Sequence, residues 1–210
     1  MKSIIIVLMM ATMPLMAASQ TRLSAEQQKQ LIDKIDKAAT TMTAMQCDFT
    51  QTKSMKLLSK EMQSKGIMLF KRPDRLHWQY TAPYDYTFIL NGNKISINSA
   101  KSKKSIDANK NKMFRYITTI ILNSITGGGL KSAADFRVEA YKAGDSYFAR
   151  LYPKKKELKQ IYDNIEIHFN PQLTMVSMVK MKEKTGDMTV VKLINVKTNV
   201  AVDEKMFAAD

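Results

Sequence analysis

Cysteine, histidine and glycine are scarce in this chain of 210 residues, which holds one cysteine, two histidines and seven glycines, with five prolines and a single tryptophan. One cysteine excludes an intramolecular disulfide, so stability must come from burial and strand pairing. Cys47 itself reads as a small core residue at the start of a strand. His77 and His168 are too few for a histidine metal cluster or a histidine-based triad, and alternation puts both on the outward faces of their strands. Carboxylates such as Asp163 and Glu166 fall on opposite strand faces among lysines, which gives acid and base chemistry no pair to work with. No catalytic residue, metal ligand or cofactor is therefore assigned, and the chain reads as a non-enzyme. The run Gly127 to Gly129 lacks the lysine and hydroxyl of a phosphate loop and is read as a helix stop and hinge.

Acidic residues are also in short supply, with 19 against 33 lysines and arginines and a formal charge of +14. Long apolar runs are confined to one place. Lys2, the stretch Ile4 to Met16 and the small residues Ala17, Ala18 and Ser19 have the order of a secretory signal peptide. The stretch is too short to argue for a membrane span. Residues 1–19 are expected to be cleaved, leaving 20–210 as one soluble exported domain with a charge of +13 and no acylated cysteine at its start. That surplus favours anionic partners. Its lysines gather between expected strands, at Lys53 to Lys65, Lys101 to Lys112 and Lys154 to Lys159, where solvated loops are the plain reading. An anionic membrane surface fits as a partner, while nucleic acid does not, because no exposed aromatics are interleaved with the basic residues.

What the chain has is alternation. Ser24 and Gln27 form a capping-box pattern ahead of a helical stripe of Leu31, Ile35, Ala38, Ala39, Met42 and Met45. The period then drops to two, predicting strands over 46–53, 63–70, 75–81, 86–90 and 94–98, with a tight hairpin at Asn91, Gly92 and Asn93. A second helix follows, striped by Met113, Tyr116, Ile117, Ile120, Ile121 and Ile125, before strands over 136–141, 147–152, 161–169, 173–183 and 188–197. The expected fold is mainly β with helices: an incomplete, half-open antiparallel barrel of about 10–11 strands with an α-helical lid over an apolar cavity. Eleven methionines remain beyond the signal, a supply of flexible filler suited to a plastic core or a variable apolar ligand.

The segment FKRPDRLHWQYTAP, from Phe70 to Pro83, carries the most specific information. Period two places Arg72, Asp74, Leu76, Trp78 and Tyr80 on one face and Arg75, His77 and Gln79 on the other. The first face must be the inner one. If parity survives Pro73, Arg72 enters it and needs acceptors for its guanidinium. A solvated strand-end arginine is the competing reading.

These residues resemble the outer-membrane lipoprotein carrier family, LolA. The likeness rests on Met45 to Gln51 with Phe49, Thr50 and Gln51 after an amphipathic helix, on GIMLFKRPDRLHWQY from Gly66 to Tyr80, and on Pro83 followed by the hairpin from Phe88 to Lys94. Val202 to Phe207 is similar to the family's closing segment. The resemblance implies an unclosed barrel covered by helices that carries the acyl chains of lipoproteins across the periplasm, from an inner-membrane lipoprotein-release transporter to an outer-membrane acceptor. It also implies that Arg72 is a lid latch bonded to backbone of the lid helix, for which carbonyls between Ile117 and Leu122 are the expected acceptors.

An acyl chain of about fourteen methylenes costs on the order of 11 kcal/mol to expose to water, so it must travel buried. The expected lining is Phe49, Leu69, Leu76, Trp78, Tyr80, Phe88, Leu90, Ile95 and Ile97, with Met113, Ile117 and Ile121 from the lid. The family's familiar members continue past the closing segment into a further loop and short strand, whereas this sequence stops at Asp210. That difference and the basic loops keep open a carrier or binding protein for another lipid or a glycolipid. Because related half-barrels can read lipid signals without transporting them, a lipid-sensing regulatory domain is a further alternative.

Overall fold

A computed structural model describes residues 20–100, 102–107, 120, 122–123, 125–127, 129–131 and 133–208. The expected signal peptide and the lid residues Met113, Ile117 and Ile121 lie outside the described residues. The chain opens with β1 (Gln20–Arg22) and α1 (Ala25–Thr41), then runs through β2 (Ala44–Met55), β3 (Lys60–Lys71), β4 (Arg75–Ala82), β5 (Tyr86–Asn91), β6 (Lys94–Ser99) and β7 (Ser102–Asp107). After a helical stretch that includes Ile120, Leu122, Asn123, Ile125 and Thr126 come β8 (Phe136–Ala143), β9 (Ser146–Pro153), a short helix (Lys156–Ile161), β10 (Tyr162–Phe169), β11 (Val176–Glu183) and β12 (Met188–Thr198).

Among the described residues twelve strands form one open antiparallel sheet, in the order β1-β8-β9-β10-β11-β12-β2-β3-β4-β5-β6-β7. The two meanders meet where β12 pairs with β2, Leu193 opposite Phe49. The strand count exceeds the expected ten or eleven because β1 and β7 went unread. Both are sheet ends of mostly exposed polar residues, and β7 carries Lys103 and Lys104 with only Ile106 packed inward. An outermost strand of this kind has little apolar alternation to detect, and its lysines discourage further pairing.

The Ser24 capping box forms as its pattern predicts, with Gln27 N–H donating to Ser24 Oγ and the Gln27 side chain accepting from the Ser24 N–H. The α1 stripe ends earlier than expected: Met42 is the C-cap and Met45 already belongs to β2, because the chain turns extended at Met42. Leu31, Ile32 and Ile35 of α1 pack over β8 to β11 with Leu151, Ile165, Ile167 and Phe169. A second cluster fills the other half of the sheet, around Met45, Phe49, Met68, Phe70, Leu76, Leu90 and Ile95. Ile125 joins this second cluster, while Leu130 joins the first. Between them Gly127, at φ +70, stops the helix and leaves room where a Cβ would stand 3.1 Å from both Ile35 and Phe169.

Candidate functional site

The inner face of β2 to β6 is built by register. Phe49 of β2 stands opposite Gly66 of β3, and Gly66 opposite Tyr80 of β4. One row along, Met68, Trp78, Phe88 and Ile97 align, and beyond it Phe70, Leu76, Leu90 and Ile95. Gly66 supplies the notch: a Cβ there would fall 2.8 Å from the Phe49 ring and 1.8 Å from the Gln79 carbonyl oxygen. Phe49 therefore leans across the strand onto its neighbours, with centroids 4.4 Å from Trp78 and 5.1 Å from Tyr80, the latter edge-on at 86°.

Depth along this face is graded. Phe49, Leu76, Leu90 and Ile95 are sealed in the floor, whereas Trp78, Tyr80, Phe88 and Ile97 are only partly covered. The polar atoms of the wall are few. The Tyr80 hydroxyl donates to Gln51 Oε1 at 2.9 Å, and burial pushes the Tyr80 phenol above its ordinary value. The Trp78 indole N–H is buried beside it without an acceptor at hydrogen-bonding geometry.

Leu69 departs from the expected lining. Its row is Gln46, Leu69, His77, Ile89 and Ser96, on the opposite side of the sheet, because one residue along a strand exchanges faces. That outer face is not open to water as alternation suggested for His77. The C-terminal turn Glu204–Phe207 lies across it, burying Phe207 and leaving His77 only 6% exposed. His77 Nδ1 donates to the Met206 carbonyl at 2.7 Å, and Asn91 donates to that of Phe207 at 3.1 Å. Lys71 and Arg75 both reach Glu204 and hold its carboxyl below the usual range, Lys71 contributing most.

Arg72 is the second correction. Its place is the turn between β3 and β4, exposed as a whole, and not the inner face, since strand parity ends at Lys71. The guanidinium nevertheless finds backbone. Nε donates to the Met42 carbonyl at 2.6 Å and Nη2 to the Ala39 carbonyl. These are the last carbonyls of α1, where a helix leaves acceptors unpaired and favours positive charge. Among the described residues the acceptors are thus in the first helix, while most of the expected Ile117 to Leu122 stretch lies outside those residues. The second helical stretch is still close: Arg72, Phe70, Ala39, Leu122 and Thr126 line one cleft of about 450 Å³.

The family described as "Outer membrane lipoprotein carrier protein LolA" matches residues 40–210, from the end of α1 through the final turn. This chain belongs to the LolA family. Outer-membrane lipoprotein carrier proteins of Legionella pneumophila (strain Corby) and Pseudomonas fluorescens (strain Pf0-1) are similar at lower identity. The first is 27% identical over 81% of this chain and 79% of the relative, the second 22% over 90% and 89%. Among solved structures, a LolA superfamily protein from Nitrosomonas europaea aligns with a TM-score of 0.47 at 9% identity, covering 86% of this chain and 96% of that one. The Mycobacterium tuberculosis lipoprotein LppX aligns with a TM-score of 0.46 at 9% identity, covering 86% and 99%. The LolA match takes in every inner-face residue named above and Arg72, but leaves α1 upstream of residue 40 outside it.

Proposed function

We propose that this protein is a periplasmic carrier that takes up the acyl chains of lipoproteins from an inner-membrane release transporter and delivers them to an outer-membrane acceptor. Residues 1–19 serve as its signal peptide and 20–210 as the carrier domain. The observation that carries the reading is the graded inner face. A sealed floor of Phe49, Leu76, Leu90 and Ile95 underlies a partly uncovered wall of Trp78, Tyr80, Phe88 and Ile97. Apolar area left uncovered in water is free energy available to an acyl chain, at about 25 cal/mol per Å² covered. α1 acts as the lid together with the segment that carries Met113, Ile117 and Ile121, which lie outside the described residues, and Arg72 latches the end of α1 to the β3–β4 turn. Family membership and the curated relatives named as lipoprotein carriers support the same cargo class.

Trp78 is the sole tryptophan, so its emission reports on the wall directly. Brominated acyl chains on a synthetic triacylated lipopeptide are expected to quench it, and Phe88→Arg to abolish the quenching. Full emission at saturating lipopeptide would remove the hollow from the mechanism. In the host, depletion should strand outer-membrane lipoproteins in the inner membrane. Normal sorting after depletion, together with a glycolipid recovered by native mass spectrometry, would assign the hollow to a different amphiphile.

A further inference from the structure

The β2–β3 hairpin outruns its neighbour. The two strands stay paired from Ala44 opposite Lys71 out to Met55 opposite Lys60, whereas β4 stops opposite Lys65. Residues 60–64 thus stand clear of β4, and all but Ser64 are exposed. The hairpin closes through a single helical turn, Lys56–Leu58, with Ser59 in the left-handed region at φ 45. Its position is fixed on the other flank, since Lys56 N–H donates to Asp187 Oδ1 at 3.1 Å in the β11–β12 turn.

This tip holds the two leucines that the rest of the fold leaves uncovered. Leu57 is 93% exposed and Leu58 63%, with Met62 at 38% just behind them. Between residues 53 and 65 lie four lysines, at 53, 56, 60 and 65, against one acid; Lys53 is paired with Glu183 of β11 at 3.4 Å, so the collar is Lys56, Lys60 and Lys65. The one acid of the segment, Glu61, accepts a hydrogen bond from Ser54 Oγ. Alternation also puts Met55 and Met62 on the face that carries Phe49, with Gln51, Ser64 and Lys53 standing between them and the aromatic wall.

We infer that the tip of this hairpin docks on an anionic phospholipid bilayer. Two leucines at the end of a fixed projection suit the acyl boundary, and a lysine collar one turn behind them suits the phosphates, which lysine reaches while its methylenes stay in apolar surroundings. A groove in a protein partner would accommodate the leucines but leaves the collar without a counter-charge. The inference goes beyond the carrier reading, because docking is independent of which lipid the hollow holds.

The test is flotation of the purified protein with vesicles of phosphatidylcholine, with and without phosphatidylglycerol. Binding is expected on the anionic vesicles and should weaken with salt. The double variant Leu57→Asp/Leu58→Asp should lose binding by at least about tenfold. Lys56→Glu/Lys60→Glu should lose the preference for phosphatidylglycerol, at roughly fivefold per lysine. Both variants are expected to keep the urea midpoint of the parent and its Trp78 quenching by brominated lipopeptide. Vesicle binding unchanged in the leucine variant, or absent in the parent, overturns the docking site. If Trp78 is still quenched in that case, the carrier reading survives without it.

Discussion

Arg72 Nε lies 2.6 Å from the carbonyl oxygen of Met42, the C-cap residue of the first helix. The same guanidinium reaches the Ala39 carbonyl one turn earlier. A single planar fork thereby serves two backbone acceptors at the negative end of α1, a task for which an ammonium is poorly shaped. Arg72→Leu is expected to lower stability by about 1–2 kcal/mol, an amount reduced by solvent around the exposed side chain. Arg72→Lys should recover only part of it. Urea titration measures both, and release of a brominated lipopeptide followed through Trp78 measures the latch. An Arg72→Leu protein with parental stability and parental release kinetics would leave the residue without a role.

Gly66 is expected to tolerate no side chain. The intruding atom would meet the Gln79 carbonyl at 1.8 Å, and that oxygen belongs to the paired strand β4, so nothing soft is available to move. Gly66→Ala should cost about 3 kcal/mol or more by overpacking. Gly144→Ala is the comparison, since only its φ of +58 resists substitution and no atom lies within 4 Å of the added carbon. That variant should lose about 1 kcal/mol. Equal losses in the two midpoints would contradict the notch.

Acid stability should depend on Glu166. Burial by itself would raise its carboxyl, but His168 at 3.1 Å and Arg150 at 2.6 and 2.9 Å outweigh burial and hold it down to about 2, against an ordinary 4.5. Lys180 adds a weaker contact at 3.9 Å. A carboxyl depressed in the folded state contributes stability that is complete above the unfolded value and disappears as pH falls through the folded one. The contribution, about 2–3 kcal/mol, is therefore expected to be present at neutral pH and to be lost between about 4.5 and 2. Glu166→Gln should be less stable at pH 7, and the gap between the two proteins should close across that window. A gap that stays constant from pH 7 to pH 2 would be incompatible with this linkage.

Cys47 sits on the inner face beside Met45 and Phe49 and is 2% exposed. Desolvation, and then the neighbouring Asp48 carboxylate, push its thiol up from 9.0 to about 12. The thiolate fraction at neutral pH falls by about a thousandfold, so a disulfide reagent should modify the native protein at least that much more slowly than the unfolded chain. Bound lipopeptide should slow it further, because the thiol faces the hollow. Labelling at the unfolded rate would mean that the inner face is open to solvent.

Ten of the twelve strands were legible because each has alternation to read, and their ends shifted by only a few residues. The two unread strands, Gln20–Arg22 and Ser102–Asp107, are sheet ends whose side chains meet water except for Ile106, and one apolar residue is too little alternation to mark a strand. Parity also placed Leu76, Trp78 and Tyr80 together on the inner face. It failed for Leu69, which shares the outer face with His77, where the chain's last turn, more than a hundred positions away, comes to lie. His77 reads as an exposed residue for the same reason: alternation assigns a face but does not say what lies upon it.

Composition and periodicity by themselves determined an antiparallel β-protein with a capped opening helix and an interrupting helix, because these follow from local steric preferences and from the period of burial; the Arg-Pro and Trp segment carried the likeness to the family. Only the tertiary structure decided which face of β3 each residue joins, which carbonyls Arg72 reaches, and that Leu57 and Leu58 end a projecting hairpin. Those outcomes depend on how far one strand outruns its neighbour and on where the chain's last turn comes to rest, distances that no local pattern contains.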